Sequence, residues 1–170
     1  MADGGFIDMT DFVPGADTSR EFRDALGRFA TGVTVVTCQC DLGPMGITAN
    51  SFSSLSLDPP LVLWSPARAS RRFSAYEAAD RFAIHVLADD QAEVCRAFAR
   101  DGTNFEGLNW AEGDEGVPLI AGALARFECA RHAIHDGGDH AIIVGRVLRV
   151  SVSDGAPLVF AKGSYGRFLG

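Results

Sequence analysis

The amino-acid sequence predicts a mainly β fold, a β-barrel or sandwich that is mostly antiparallel and carries a few covering helices. Three observations support that prediction. Short apolar or β-branched runs, broken by Gly, Pro and Asp, outnumber helical periodicities by more than two to one across the 170 residues. Asp136-Gly137-Gly138-Asp139 stands between two of the longest runs and has the composition of a hairpin turn. Helices are also too few to follow nearly every strand, as a doubly wound parallel sheet requires.

The elements follow in order. Residues 1–17 read as a flexible N-terminal arm punctuated by Pro14-Gly15, and residues 18–170 as a single domain. Thr18 and Glu21 have capping-box spacing, so a helix is expected over 20–29. Phe22, Leu26 and Phe29 share one face of it, and Gly32 is positioned to close it. Strands are expected at 33–38, 46–50, 61–65 and 82–87. Ser70 is placed to cap a short helix reaching Tyr76, and Asp90 with Glu93 repeats the capping spacing for a helix over 91–99. Past Pro118 the pattern returns to strands at 123–131, 140–153 and 157–160. Repeats, low-complexity tracts and linkers are missing, so a second domain has no support.

Composition excludes several functions. The formal charge is −7, and fourteen of the fifteen basic residues are arginines scattered along the chain. Nucleic-acid binding needs a clustered basic face instead. No apolar stretch is long enough to span a membrane. The first residues are acidic, unlike a secretory leader, so a cytoplasmic location is expected. Cys38, Cys40, Cys95 and Cys129 lack the density of a disulfide framework and read as buried residues of a strand and a helix. The G-x-G-x-x-G fingerprint, the P-loop, H-E-x-x-H and G-x-S-x-G are all absent.

Three segments carry chemistry. Between Thr48 and Ser56 lie five hydroxyls and one amide, ending in Pro59-Pro60, where either bond is a candidate for cis. Such a run is a donor-rich cradle for an anionic or carbonyl-rich ligand, or else a solvated Ser/Thr loop. Ser65-Pro66-Ala67-Arg68-Ala69-Ser70-Arg71-Arg72 ends a strand with three arginines and a capping serine. It is a phosphate seat, or a helix edge whose arginines pair with Glu77 or Asp80. The run from His132 to His140 holds three imidazoles and two carboxylates, but turn geometry accounts for its glycines and no metal site is expected.

Several motifs together resemble the short-chain flavin reductases that serve as small components of two-component flavin-dependent monooxygenases. They are Phe29-Ala30-Thr31-Gly32-Val33-Thr34-Val35-Val36-Thr37, Gly46-Ile47-Thr48-Ala49-Asn50-Ser51-Phe52, Ser56-Leu57-Asp58-Pro59-Pro60-Leu61-Val62, Gly138-Asp139-His140 and Tyr165-Gly166, in the family's order. The resemblance implies an FMN-binding split barrel that works as a homodimer. It implies hydride transfer from NADH or NADPH to FMN or FAD, with the reduced flavin supplied to an oxygenase.

By the same resemblance Thr31, Gly32, Val33 and Thr34, with Thr48, Ala49, Asn50 and Ser51, line the flavin. Ser53 and Ser54 complete the loop around its ring and ribityl chain. Ser65, Arg68 and Ser70 face the phosphate. His140 lies beside the nicotinamide as the one residue with a catalytic role, orienting and polarising, and Tyr165 closes the same pocket. Trp64 departs from the more usual aliphatic residue, either reshaping the flavin site or packing the core. Two rivals remain open on the residues alone: a non-catalytic flavin carrier of this fold, and an oxidase in the manner of pyridoxamine phosphate oxidases.

Overall fold

Residues 34–38 are buried without a break because their strand is covered on both faces. In the computed structural model, which describes residues 9–168, this strand is β2 (Thr34–Cys40). Residues 1–8 of the expected arm and residues 169–170 lie outside the described residues. The chain runs α1 (Ser19–Leu26), β1 (Thr31–Gly32), β2, β3 (Gly43–Ala49), β4 (Ser53–Leu57), β5 (Pro60–Trp64), α2 (Phe73–Ala78), β6 (Arg81–Val86) and α3 (Ala92–Arg100). It continues through β7 (Trp110–Glu112), β8 (Pro118–Ile120), β9 (Ala125–Gly137), β10 (His140–Val152), β11 (Leu158–Ala161) and β12 (Ser164–Arg167).

Seven strands form one antiparallel sheet in the order β3-β2-β6-β9-β10-β5-β4. Its two edges, β3 and β4, are consecutive in sequence. The sheet curls until the segment after β3 meets the end of β5, where Ser65 N–H donates to Ser51 Oγ at 2.9 Å and Ser51 Oγ donates to Ser65 O at 3.2 Å. The barrel is therefore split, and residues 50–54 cross the seam. A smaller sheet, β1-β11-β12, joins the large one through Val33, Leu87 and Leu158, and β7 pairs β8 in a third.

Side chains of β2 alternate between two cores, as period-2 geometry dictates. Val36 and Cys38 pack with Trp64, Tyr76, Phe82 and Ile84, while Val33 and Val35 pack with Leu87, Cys95, Phe98 and Leu158. Trp64, 1% exposed and edge-on to Tyr76 at 5.0 Å, is a core residue. Helix α3 seats directly on β3 because Gly46 has no side chain: a Cβ there would lie 2.5 Å from the Phe98 ring.

The hairpin forms as expected. Gly137 pairs with His140 across a two-residue turn whose first position, Gly138, has φ +75, the left-handed backbone that such turns demand. The four cysteines are free and lie on β2, α3 and β9, and the Asp58-Pro59 bond is cis.

Other expectations need correction. The first helix ends at Leu26 with Gly27, not Gly32, as its C-cap. Thr18 makes no side-chain cap bond; its hydroxyl accepts from Gly15 N–H and donates to Val13 O, turning back into the preceding chain. The second capping pair fails too, because Gln91 is the N-cap of α3 and its Oε1 accepts from Ala88 N–H. Helix α2 starts at Phe73, so Ser70 does not cap it; Ser70 Oγ accepts from Arg72 N–H at 3.3 Å. Residues 53–57, read as part of a loop, form edge strand β4, with a register shift between Ser54 and Ser56.

Candidate active site

The donor-rich segment sits on the seam, and its hydroxyls divide into two sets. Those of Thr34, Thr48 and Ser51 serve the scaffold. Thr34 Oγ1 donates to Ala49 O at 2.7 Å, tying β2 to the end of β3, and Thr48 Oγ1 donates to Cys95 O at 2.6 Å, tying β3 to α3. Ser51 closes the barrel against Ser65. Asn50, Ser53 and Ser54 are exposed. Ser53 Oγ bonds only its neighbour's carbonyl, and no protein partner holds the Asn50 or Ser54 side chain among the described residues.

The segment after β5 brings a cation and an imidazole to the same edge. Ala67 bridges His140, Ala141 N–H donates to Pro66 O at 3.1 Å, and Arg68 N–H donates to Asp139 O at 2.9 Å. Ser65, Arg68, Ser70 and His140 thus share one backbone framework with Ser51. The Arg68 guanidinium lies 5.5 Å over the Phe73 ring and 3.1 Å from Asp136 Oδ1. Of the alternative partners, Asp80 pairs with Arg131 instead, which also donates to the backbone carbonyl of Glu77. Arg72 donates to the carbonyls of Gly46, Phe98 and Ala99, so it closes the C-terminal end of α3 and is not free for a ligand.

His140 Nδ1 lies 2.7 Å from Asp139 Oδ1, with the imidazole 43% exposed. A carboxylate only accepts, so Nδ1 carries the proton and Nε2 is left for a ligand. The bond to His140 holds the Asp139 carboxyl below its ordinary range. His132 and His135 are, with Asp136, exposed, and among the described residues no group of three His, Cys, Asp or Glu side chains could hold a metal.

Tyr165 belongs to the small sheet, on β12. Its ring packs on Phe160 at 5.2 Å, and the Cys95 thiol beside its hydroxyl is the first cause of its pKa rising to about 12. Thr31 pairs with Phe160, which pairs with Tyr165, so Thr31, Gly32 and Tyr165 belong to the small sheet, while Arg68 and His140 lie where the end of β5 meets the start of β10 in the large one. Val33 is buried in the core. Thr31 Oγ1 is buried with no partner, a condition that usually marks a missing bond from water or ligand. Free amide and hydroxyl groups, an arginine and an orphan hydroxyl around one seam suit a polar, phosphorylated heterocycle.

The Cys95–Tyr165 pair is a link that sequence reasoning missed: Cys95 sits one turn into a helix, where nothing in its spacing signals a tyrosine more than sixty residues on. Arg72 was likewise indistinguishable in sequence from its neighbours Arg68 and Arg71.

The Flavin reductase like domain family matches residues 26–169. The NADH-dependent FMN reductase SmoA of Agrobacterium fabrum is 59% identical over 157 residues, covering 92% of this chain and 90% of that protein. The HsaB reductase subunit of a flavin-dependent monooxygenase from Rhodococcus jostii is 43% identical over 148 residues, 86% of this chain and 76% of the relative. Among solved structures, the Streptomyces globisporus NADH:FAD oxidoreductase SgcE6 in complex with NAD and FAD fragments superposes with a TM-score of 0.86 at 38% identity, over 94% of this chain and 98% of that one. With its antiparallel split barrel and a match over nearly its whole length, the chain belongs to the flavin reductase-like family and is a flavin oxidoreductase.

Proposed function

We propose that this enzyme passes a hydride from NADH to FMN, with FAD as an alternative acceptor, and that the reduced flavin goes to a separate oxygenase component. The observation that carries this reading is the set of uncommitted polar groups at the seam, between hydroxyls already spent on the scaffold. Relatives that use NADH and FMN, or serve monooxygenases, support it.

In this reading Asn50, Ser53 and Ser54 bind the flavin ring and ribityl chain. Thr31 and Gly32 form the opposite wall, and Arg68 takes the phosphate, with Ser70 holding the turn. Thr34, Thr48, Ala49, Ser51 and Ser65 fix the shape of the seat. His140 presents Nε2 to the nicotinamide carboxamide, while Tyr165, on the far wall, limits the pocket. The flavin supplies the hydride-accepting chemistry, so the protein's task is to orient two rings and exclude water. Nucleophiles and metals are not required.

A homodimer completes the site in our reading. Helix α1 points Phe22, Leu26 and, just past its end, Phe29 outward at 44%, 59% and 79% exposure, while Lys162 N–H anchors its Gly27 carbonyl. An apolar face turned away from its own core needs a partner, and Leu26→Asp should shift the particle to monomer in light scattering. We take residues 18–170 as one catalytic unit acting in the cytoplasm. No described helix is long and apolar enough to cross a membrane.

Anaerobic absorbance tests the reading: NADH is added to protein mixed with catalytic FMN or FAD. Bleaching over many turnovers is expected. Flavin binding without bleaching would favour a carrier, and oxygen-dependent oxidation of pyridoxamine phosphate without NADH would favour the oxidase.

A further inference from the structure

The Arg68 guanidinium is already occupied. Asp136 Oδ1 stands 3.1 Å from it, on a carboxylate that is 83% exposed. Three things locate Arg68 without help from Asp136: its N–H is fixed to Asp139 O, the bridge between Ala67 and His140 fixes the strand end before it, and the Phe73 ring supports its guanidinium. Asp136 is the penultimate residue of β9, and its side chain is exposed to water.

A group that is not needed to position the arginine, yet neutralises it, is a competitor for any anion the arginine binds. An incoming phosphate must displace the carboxylate or bind beside it, and either course costs affinity through lost pairing or like-charge repulsion. A ligand without a phosphate meets no such cost.

We propose that Asp136 is a specificity-determining residue, an internal counter-anion that weakens binding of phosphorylated flavin at Arg68 while leaving the ring and ribityl contacts untouched. The inference rests on the assignment of Arg68 to the flavin phosphate. Its consequence is a flavin that binds loosely enough to leave after reduction, which suits an enzyme whose product is consumed elsewhere.

Fluorescence titrations of FMN and riboflavin into the full-length wild type, Asp136→Asn, Arg68→Ala and the double variant test it. Asp136→Asn should tighten FMN about three-fold, within the range an exposed ion pair supplies, and leave riboflavin unchanged. Arg68→Ala should weaken FMN relative to riboflavin, and in the double variant the effect of Asp136→Asn should vanish. If Asp136→Asn weakens FMN, the carboxylate orients the arginine and the inference is overturned; equal shifts for both flavins overturn it as well. If Arg68→Ala fails to separate the two flavins, the phosphate assignment fails and takes the inference with it.

Discussion

Two histidines in this molecule have opposite fates. His85, on β6, is fully buried, and both ring nitrogens are spent: Nδ1 donates to Val35 O at 3.0 Å and Nε2 accepts from Ile120 N–H at 3.0 Å. His140, at the hairpin tip, is half exposed and has one nitrogen held by Asp139 with the other open. The same side chain is a staple where its bonding capacity is saturated by its own chain, and keeps a nitrogen open to a ligand where it is not. What distinguishes them is spare hydrogen-bonding capacity, which depends on burial and on neighbours far away in sequence.

The sharpest way to break that contrast is to remove the staple. His85→Ala leaves the Val35 carbonyl and the Ile120 amide without partners inside the core and opens a cavity. Losses of that kind sum to about 3–4 kcal/mol. A thermal melt should fall by roughly 10 °C, while activity per folded molecule holds. A variant that melted normally would mean that water or relaxation replaces the imidazole.

Acid probes the same residue without mutation. Burial drives the His85 pKa from 6.5 down to about 4, because a charged ring there would be cut off from water, and the nearby Arg126 charge adds to the shift. Between those values the unfolded chain binds a proton that the native state refuses, so stability is complete above pH 6.5 and declines as pH falls to 4. The loss reaches about 3 kcal/mol by the linkage relation and then stops, both states being charged. Urea midpoints from pH 7 to 4 should show this slope, and His85→Ala should lack it. A slope that survives in His85→Ala belongs to other groups.

For His140, which we propose faces the nicotinamide, the expected pattern reverses. His140→Ala should slow flavin reduction by about ten-fold, as lost orientation of a reacting ring predicts. FMN affinity should stay within a few-fold, and the melt should be unchanged. A large loss of flavin binding would move His140 from the nicotinamide to the flavin.

Much of this was legible in the sequence. The hairpin at 136–139, β2, β6 and the three helices all followed from period, turn residues and breakers, because local chemistry alone determines them. Legibility failed where a side chain had a choice of partners. Thr18, Asp90 and Ser70 all have the spacing of helix caps, and each helix start was decided by competing bonds. Edge strand β4 was hidden because serines score as loop until a partner strand is in place. The site was legible as a set of residue types on one segment. Which hydroxyls remain free depended on contacts across the fold.

The smallest expected effect concerns the bond that holds His140 with its second nitrogen open. Asp139 is fully exposed apart from its contact with the ring, so its removal should cost the fold nothing measurable. Its effect is confined to the imidazole, which without the carboxylate samples other rotamers and loses the preference for a proton on Nδ1. Asp139→Ala should therefore lower kcat about three-fold with little change in the melt. Asp139→Asn keeps an oxygen acceptor without the charge and should recover most of the loss. Charge and orientation separate between the two variants: if Asp139 acts only by holding the ring, Asp139→Asn will match wild type in kcat, whereas an Asp139→Asn enzyme as slow as Asp139→Ala would mean that the negative charge itself is required. An Asp139→Ala enzyme as fast as wild type would show that the backbone framework from Pro66 to Asp139 is enough to aim the ring.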